Sequence, residues 1–522
     1  MTALGLSAGF ASRASAADAA PKTCAQMAGM SVAGLAISKA AEVPAAPPGT
    51  VQSGFTPADK NTVPYPAYCR VEGVIGARTG ADGKAYGLTV AIALPDDWNG
   101  RFLMQGGGGL NGNLGPPLGA VAAGDRPALA RGFAVVSTDG GHRSPAGFDA
   151  SFLGDQQAAL DFAFEAVPTV AGAAKQVVEA YYGRPIRRSY FTGCSTGGRE
   201  GMEAAERYPF LFDGIVTGAP AMRTDRSNLA LKWAAVAFNR IAPTDPATGK
   251  IVPGGAFSAA DRQLIIDGFL KACDGLDGLS DGMVFNVRAC RFDPAALSCK
   301  GAKTASCLTS DQVDALKTAF AGPVTPDGRR IYAPHAYDTG IAGTGLAGIP
   351  GFLLNSTAGP VGGGSLPVAM DLVADTAAAD ADAEQQLIDT YNWTNLSSFY
   401  GHGGKQLFYH GVSDPWFSAL DTVDYYERLG HDSGGPDKLS QSSRLFLAPG
   451  MSHCAGGPAT LDRFDLLTAL VDWVEAGRAP DAVVATGPDF PGRSRPLCAW
   501  PSHAHYKGQG DPQSAASFEC RP

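Results

Sequence analysis

The chain has 522 residues, more than one ordinary hydrophobic core accommodates, so one large domain with an insertion, or two domains, is expected. A formal net charge of −9 argues against nucleic acid and anionic membranes as partners. An apolar content of 45% indicates a globular protein, and no apolar run approaches the roughly 20 residues of a membrane-spanning helix.

The N-terminal part of the chain reads as a processed leader followed by a surface segment. Residues 1–20 are predicted to be the remnant of a signal peptide, because 3–11 are small and apolar and Ala14-Ser-Ala16 resembles a signal-peptidase site. A basic leader region is missing. Residues 24–68 are rich in Ala and Pro and are expected to wrap the surface.

Strands then alternate with helices, which predicts a mostly parallel, doubly wound sheet. The predicted strands are 86–94, 101–105, 132–138, 189–192, 214–217, 406–410 and 444–447, and the predicted helices are 162–182, one from 196 onward, and a closing helix over 459–475. From 223 to 398 this rhythm breaks, and the segment is interpreted as an inserted lid domain. The catalytic domain is then formed by residues 21–222 and 399–522.

A G-x-S-x-G motif joins the strand over 189–192 to the helix that follows it. This is the pattern of a nucleophile elbow, in which a tight turn holds the serine in a strained conformation with its hydroxyl exposed. Glycine is expected at both Gly193 and Gly197, because a Cβ at either position would collide with the neighbouring chain. Ser195 is therefore the candidate nucleophile, and a chance match in a Gly-rich loop is the alternative.

A serine nucleophile needs a base and an orienting carboxylate, which in this type of fold follow in the order acid, then histidine. Asp414 lies in a loop after one predicted strand, and His453 lies in a loop after the last one. Both are predicted to be catalytic, although an aspartate before a proline is also an ordinary turn residue. His410 ends a strand and is predicted to be structural, whereas His503 and His505 are predicted to lie in an irregular tail.

The glycine run 106–109 follows a strand and resembles the HGGG loops that build oxyanion holes in esterases, with Gln105 in place of histidine. The N–H of Thr196 is the expected first donor to the oxyanion. Gly108 and Gly109 are the candidates for the second, and the sequence does not decide between them. The alternative is a flexible turn.

Ten cysteines, none of them in a C-x-x-C pair, favour disulfides and an oxidising compartment over zinc. Cys194 precedes the nucleophile and Cys454 follows the base, so they can bridge if the two catalytic residues meet. Asp274, Asp277 and Asp281 lie among glycines, a pattern that suits either Ca²⁺ or a solvated acidic loop.

These motifs together resemble the tannase and feruloyl esterase family. The similarity covers nearly the whole chain and includes GCSTGGREG, DGIVTGAPA, SDPWF, GMSHC and all ten cysteines. It implies an α/β-hydrolase fold (class α/β) with a large inserted lid domain, and a substrate-ring contact by Phe417. It also implies the disulfides Cys24–Cys69, Cys194–Cys454, Cys273–Cys290, Cys299–Cys307 and Cys498–Cys520.

The resemblance further implies a structural calcium ion in the lid. Its ligands would be the carboxylates of Asp274, Asp277 and Asp281 and the carbonyls of Leu279 and Met283. The ion is expected to order a lid of loops that lacks a sufficient core of its own.

By this resemblance the protein is expected to be a secreted or periplasmic serine hydrolase of aromatic esters, of feruloyl or galloyl type, acting through an acyl-serine. Its partner would be a small aromatic ester, free or attached to plant polysaccharide or polyphenol. The alternatives are a hydrolase of terephthalate monoesters, a serine peptidase and a non-catalytic binding protein. Because no arginine occurs between Arg330 and Arg428, and Lys405 is the only cation there, uncharged phenolic esters are expected to be preferred over carboxylate-bearing monoesters.

Overall fold

The fold is described by a computed structural model that covers residues 20–52, 60–144, 148–343 and 366–522. The predicted signal-peptide remnant lies outside these residues except for its last position. Within the described ranges, no helix combines the length and the apolar character that crossing a bilayer requires.

Helices and strands follow one another in the order that the sequence pattern predicts for most of the chain. The strands are β1 (Ser31–Val32), β2 (Leu35–Val43), β3 (Tyr68–Thr79), β4 (Ala85–Pro95), β5 (Arg101–Gln105), β6 (Ala134–Thr138), β7 (Arg188–Cys194), β8 (Gly214–Gly218), β9 (Lys405–Gly411), β10 (Ser443–Ala448), β11 (Arg463–Phe464), β12 (Ala482–Thr486), β13 (Arg495–Cys498), β14 (His503–Tyr506) and β15 (Phe518–Arg521). The α-helices are α1 (Cys24–Met27), α2 (Gln156–Leu160), α3 (Ala166–Tyr182), α4 (Thr196–Arg207), α5 (Thr224–Asn239), α6 (Ala259–Cys273), α7 (Ser310–Ala321), α8 (Leu372–Ala381), α9 (Ala383–Ile388), α10 (Ser397–Gly401), α11 (Ala419–Asp432), α12 (Pro436–Leu439) and α13 (Leu466–Ala476).

Ten strands form one mixed sheet in the order β1-β2-β3-β4-β6-β5-β7-β8-β9-β10. Strands β6, β5, β7, β8 and β9 each pair in parallel with the next strand in this order, which ends with β10. Strands β1, β2, β3 and β4 each pair antiparallel with the next. The prediction of a mostly parallel, doubly wound sheet is confirmed for the part that carries the motifs. Strand β7, which leads into the elbow, lies between β5 and β8 near the middle of the sheet.

Both faces of the parallel part are covered, as the continuous apolar character of its strands requires. Adjacent residues point to opposite faces: Phe191 packs in one core with α3 and α4, whereas Tyr190 packs in the other with α13. Burying one large apolar side chain of this kind contributes about 2 kcal/mol. The nucleophile strand is therefore held rigidly from both sides.

The expectation that residues 24–68 wrap the surface is incomplete, because they include β1 and β2, and β2 pairs with β3 in the large sheet. Glycines obscured the strand pattern of β3. A Cβ on Gly73 would lie 2.3 Å from the carbonyl oxygen of Ala36, so the close approach of β2 requires glycine there.

Two further predictions are corrected near the C-terminus. The closing helix α13 begins at Leu466 rather than 459, because the carboxylate of Asp465 caps it by accepting the N–H of Thr468 at 2.8 Å. His503 and His505 are not in an irregular tail but on strand β14, which pairs with β15.

The inserted segment is helical, and its described part, 223–343 and 366–398, contributes no strand to the sheets. Helices α5, α6 and α7 enclose a hydrophobic core that includes Phe238, Ile265 and Leu316. The expectation that the lid lacks a core of its own is therefore wrong. The exact domain boundaries stay a prediction.

Candidate active site

The turn between β7 and α4 has the strained geometry of a nucleophile elbow. Ser195 has φ 64° and ψ −123°, a conformation that residues with a Cβ rarely adopt. The turn is tight enough that a Cβ on Gly193 would lie 2.3 Å from the carbonyl oxygen of Gly197. Its backbone is fixed to the next strand, since the N–H of Ser195 donates to the carbonyl of Gly218 at 3.0 Å. The elbow is thus built into the centre of the sheet.

A disulfide joins the nucleophile turn to the loop that carries the predicted base. Cys194 and Cys454 are bonded with a Cα–Cα distance of 5.9 Å, so their neighbours Ser195 and His453 lie on adjoining stretches of backbone. All five disulfide pairs expected from the resemblance are present. They include the Cys194–Cys454 bond, which joins two residues 260 positions apart in the chain.

The predicted acid and base are hydrogen-bonded to each other. His453 Nδ1 lies 2.7 Å from Asp414 Oδ2. The other carboxylate oxygen of Asp414 accepts the N–H groups of Trp416 at 2.8 Å and Phe417 at 3.0 Å. Burial by itself raises the pKa of Asp414, but the neighbouring His453 and His410 and their hydrogen bonds hold that pKa well below its usual range. An ionised Asp414 keeps the proton of His453 on Nδ1 and leaves Nε2 available as a base.

His410 is buried behind the acid, which agrees with the structural role predicted for it. Its Nε2 lies 3.2 Å from Asp414 Oδ2 and 3.0 Å from the carbonyl oxygen of Phe417, and its Nδ1 lies 2.8 Å from the hydroxyl of Thr422. The two acceptors at Nε2 fix that nitrogen as the protonated one, so His410 donates to the acid rather than competing as a base.

The glycine run is anchored to the elbow helix and is not a loose turn. The carboxylate of Glu200 accepts the N–H of Gly107 at 3.0 Å and the side-chain amide of Asn111 at 2.8 Å. The N–H of Gly197 donates to the carbonyl of Gly107 at 3.0 Å. Within the described ranges, the predicted oxyanion donors, the N–H groups of Thr196, Gly108 and Gly109, make no hydrogen bond to protein. Their role in an oxyanion hole stays a prediction.

Glu200 is a contributor that sequence reasoning missed, and the contacts of Gln105 were also not predicted. Gln105 Oε1 accepts the N–H groups of Leu118 and Gly119, and its Nε2 donates to the carbonyl of Pro116, so it holds the chain that continues beyond the glycines. A signal for Glu200 was present in the sequence. It is an acidic residue near the start of the helix that follows the elbow, where the helix is buried, and a buried carboxylate needs hydrogen-bond partners.

Aromatic rings surround the predicted base. The rings of Trp416 and Phe417 have centroids 5.4 and 5.2 Å from the imidazole of His453. Phe417 is only 4% exposed, whereas Phe148, which contacts Trp416, is 37% exposed. The substrate contact by Phe417 stays a prediction, and Trp416 and Phe148 add aromatic surface beside it that the sequence did not indicate.

Two arginines of the early lid that could in principle grip an anionic substrate are already paired. Arg223 makes a two-pronged ion pair with Asp421 and lies 3.6 Å from the ring centroid of Tyr391. Arg226 pairs with Asp225 and Asp380. Both guanidinium groups therefore already have aspartate partners, although Nη1 of Arg226 is buried without a hydrogen-bond partner among the described residues.

The acidic loop of the lid fits a calcium ion only in part. Burial raises the pKa of Asp277 to about 7 and also raises that of Asp274, although the backbone N–H groups that donate to these carboxylates act in the opposite direction. Asp281, however, is paired with the fully buried Arg495. In the part of the chain that is described, no three His, Cys, Asp or Glu side chains are grouped closely enough to hold a metal.

The sheet, the elbow and the acid–base pair at its carboxyl edge define an α/β-hydrolase. A family model for "Tannase and feruloyl esterase" matches residues 69–390 and 365–521, and the chain belongs to this family.

Its relatives include a mono(2-hydroxyethyl) terephthalate hydrolase of Piscinibacter sakaiensis, 40% identical over 89% of this chain and 86% of that protein. A probable feruloyl esterase of Arthroderma benhamiae is 32% identical over 83% of this chain and 82% of its own. Among solved structures, feruloyl esterase B of Aspergillus oryzae aligns with a TM-score of 0.74 at 25% identity, covering 94% of this chain and 98% of that one. The tannin acyl hydrolase of Aspergillus niger shares the fold, with a TM-score of 0.69 at 23% identity over 94% of this chain and 92% of its own.

Proposed function

We propose that the protein is a serine carboxylic ester hydrolase that cleaves esters of aromatic acids through an acyl-Ser195 intermediate. The observation that carries this proposal is the disulfide between Cys194, which precedes Ser195, and Cys454, which follows His453, together with the hydrogen bond between His453 Nδ1 and the buried Asp414. Family membership supports the same reaction class.

In the proposed reaction Ser195 Oγ attacks the ester carbonyl while His453 Nε2 takes its proton, and the imidazolium is stabilised by Asp414. The N–H of Thr196 and that of Gly108 or Gly109 would stabilise the oxyanion. His453 then gives the proton to the leaving alcohol. A water molecule attacks the acyl-enzyme carbonyl while His453 takes its proton, and that proton returns to Ser195 Oγ as the acid leaves.

Replacing the nucleophile tests this proposal. Ser195→Ala is expected to lower kcat on a hydrolysed aryl ester by roughly 10⁶-fold, because the three residues act as a unit. The melting temperature should change little, since the hydroxyl donates no hydrogen bond that the fold needs. Near-normal turnover by a folded variant would exclude Ser195 as the nucleophile.

Two substrate classes are candidates. Feruloyl and galloyl esters are favoured by the absence of arginine between Arg330 and Arg428 and by the pairing of Arg223 and Arg226. Terephthalate monoesters are favoured by the 40% identity to a hydrolase of that substrate. Comparing kcat/KM for methyl ferulate, methyl gallate and mono(2-hydroxyethyl) terephthalate discriminates between them, and a tenfold advantage for the terephthalate monoester would overturn the first candidate.

We also propose that the acidic loop binds Ca²⁺ through the carboxylates of Asp274, Asp277 and Asp281. Two buried carboxylates without a direct cationic partner support this, and Asp281 would have to share its carboxylate between the ion and Arg495. Elemental analysis should find one calcium per chain. Chelation should lower the melting temperature, and Asp277→Asn should abolish that response, whereas Asp267→Asn on the exposed face of α6 should retain it. Fully active protein without calcium would refute the proposal.

We propose that the protein works in an oxidising compartment, outside the cell or in the periplasm. Five disulfides support this location, because such bonds persist where thiols are not kept reduced. The ester would then be met free or attached to plant polysaccharide or polyphenol. Cell fractionation with an assay of soluble feruloyl ester hydrolysis tests the location.

A further inference from the structure

One short piece of the inserted segment, residues 338–340, lies between the loop that carries Asp414 and the loop that carries His453. Both catalytic loops follow neighbouring parallel strands, β9 and β10, and touch each other directly where the N–H of Ser413 donates to the carbonyl of Met451 at 3.0 Å. Asp338 is buried at this junction, with only 2% of its surface exposed.

A continuous chain of hydrogen bonds passes through Asp338 to both loops. The hydroxyl of Ser413 donates to Asp338 Oδ2 at 2.8 Å, and the N–H of Gly450 donates to the same oxygen at 2.7 Å. The N–H of Gly340 donates back to the hydroxyl of Ser413 at 2.9 Å. Ser413 immediately precedes Asp414, and Gly450 lies three residues before His453.

The contact is sterically tight as well as polar. A Cβ on Gly340 would lie 2.3 Å from Cβ of Ser413, and one on Gly450 would lie 3.1 Å from Oγ1 of Thr339. A preceding residue of the lid also meets the acid loop, since the hydroxyl of Tyr332 accepts the N–H of Ser418 at 3.1 Å. The acid and base loops are thus seated against the lid and not only against each other.

We infer that Asp338 is a positioning residue of the hydrolase, through which the inserted lid sets the distance and orientation between Asp414 and His453. This inference rests on the proposed function, because it assigns to Asp338 the geometry of that same acid–base pair. A shift of about 1 Å between catalytic groups costs on the order of 100-fold in rate, which is the scale of effect expected if the carboxylate is removed.

The chemistry of the contact requires a carboxylate. Oδ2 accepts from Ser413 and Gly450, while Oδ1 accepts the N–H of Thr339 at 2.8 Å. Asparagine has one carbonyl oxygen and would turn an amide N–H toward at least one of these donors. Asp338→Asn should therefore lower kcat about tenfold and Asp338→Ala about 100-fold, with KM within about threefold of the wild-type value.

The matched control is Asp261, a second buried lid aspartate that accepts from Ser258 and Gln312 and pairs with Lys303, and that touches neither catalytic loop. Asp261→Asn should lower the melting temperature as Asp338→Asn does, yet leave kcat on methyl ferulate unchanged. A second measurement, the rate at which a fluorophosphonate labels Ser195, should fall for the Asp338 variants and not for the control.

Each outcome decides one point. A wild-type protein that neither hydrolyses aryl esters nor reacts with the fluorophosphonate contradicts the proposed function itself. An active wild type with Asp338 variants of equal kcat and labelling rate overturns the inference about Asp338. Should Asp338→Ala fail to fold, Asp338→Asn and Ser413→Ala decide: both are expected to reduce kcat about tenfold, and wild-type kcat in both would overturn it.

Discussion

At the scale of single residues, both carboxylate oxygens of Asp414 accept hydrogen bonds, and these bonds determine the ionisation of Asp414 and the orientation of the His453 imidazole. Oδ1 accepts two backbone N–H groups, and Oδ2 faces the rings of His453 and His410. A buried carboxylate without such donors would take up a proton, because burial disfavours its charged form. With these donors it remains an anion and fixes the imidazole of His453 in one orientation.

Glu200 has the corresponding role for the glycine loop. It connects helix α4, which begins at the nucleophile, with the loop that supplies the second predicted oxyanion donor. Because both of its partners are donors, both of its oxygens must accept. The position of the Gly108 and Gly109 amides relative to the Thr196 amide therefore depends on a carboxylate that does not itself contact substrate.

Glu200→Gln is expected to lower kcat by roughly 10- to 100-fold, because the glutamine amide would face one of two N–H donors and displace the loop from the oxyanion. KM should change less than kcat, since the loop acts on the transition state. The control is Glu203→Gln, a buried glutamate on the same helix that pairs with Arg199 and does not touch the glycine loop. Equal kcat values for the two variants would show that Glu200 does not position the loop.

At the scale of elements, the sequence predicted the strands that carry the chemistry and missed strands at the antiparallel end. Strands β5, β7, β8 and β9 are short apolar runs that end in motif loops, so pattern and function point to the same boundaries. Strand β3 instead contains Gly73, which the neighbouring strand requires for space but which interrupts the alternating pattern. The need for a glycine arises from the neighbouring strand, so it cannot be recognised from the sequence of β3 alone.

The disulfide Cys194–Cys454 gives a prediction at the same scale. It closes a loop of 260 residues, for which chain entropy gives a stabilisation of about 5 kcal/mol. Because it also fixes the backbone beside both Ser195 and His453, replacing both cysteines by alanine should lower kcat by more than the loss of folded protein explains. Activity per folded molecule, measured well below the melting temperature, is the test.

The control for that experiment is the lid disulfide Cys299–Cys307, whose cysteines are eight positions apart and do not neighbour Ser195, Asp414 or His453 in the chain. Its double alanine variant should lose thermal stability with normal kcat per folded molecule. A free thiol on Cys194, detected by peptide mapping of the active enzyme, would contradict a clamping role for the first bridge.

At the scale of the whole molecule, the candidate site is assembled from segments that are distant in sequence. The motif residues were predictable because each carries its own local pattern, as Ser195 does in the elbow. The roles of Glu200 and Asp338 were not predicted, because they depend on partners elsewhere: Glu200 meets Gly107 across 93 residues, and Asp338 meets Gly450 across 112. Hydrogen bonds over such separations leave no periodic trace in the sequence.

Charge is also a property of the whole molecule that bears on the substrate. The chain carries a formal net charge of −9, and Arg223 and Arg226, the arginines considered as anion-binding groups, are neutralised by aspartates. An anionic monoester must therefore approach a negative protein in which Arg223 and Arg226 already have aspartate partners. Burying a carboxylate without a cationic partner costs several kcal/mol, whereas the hydroxyl of a feruloyl or galloyl ring needs only neutral hydrogen bonds.

Ionic strength separates these two substrate classes. Repulsion between a negative protein and an anionic substrate weakens as salt shortens the Debye length from about 30 Å at 0.01 M to about 8 Å at 0.15 M. At neutral pH, kcat/KM for mono(2-hydroxyethyl) terephthalate should therefore rise about twofold or more over that range, through faster encounter. The values for methyl ferulate and for the uncharged bis(2-hydroxyethyl) terephthalate, which has the same acyl ring, should stay level. If kcat/KM for the monoester instead falls as salt is added, a cationic group attracts its carboxylate, and the preference for uncharged phenolic esters is wrong.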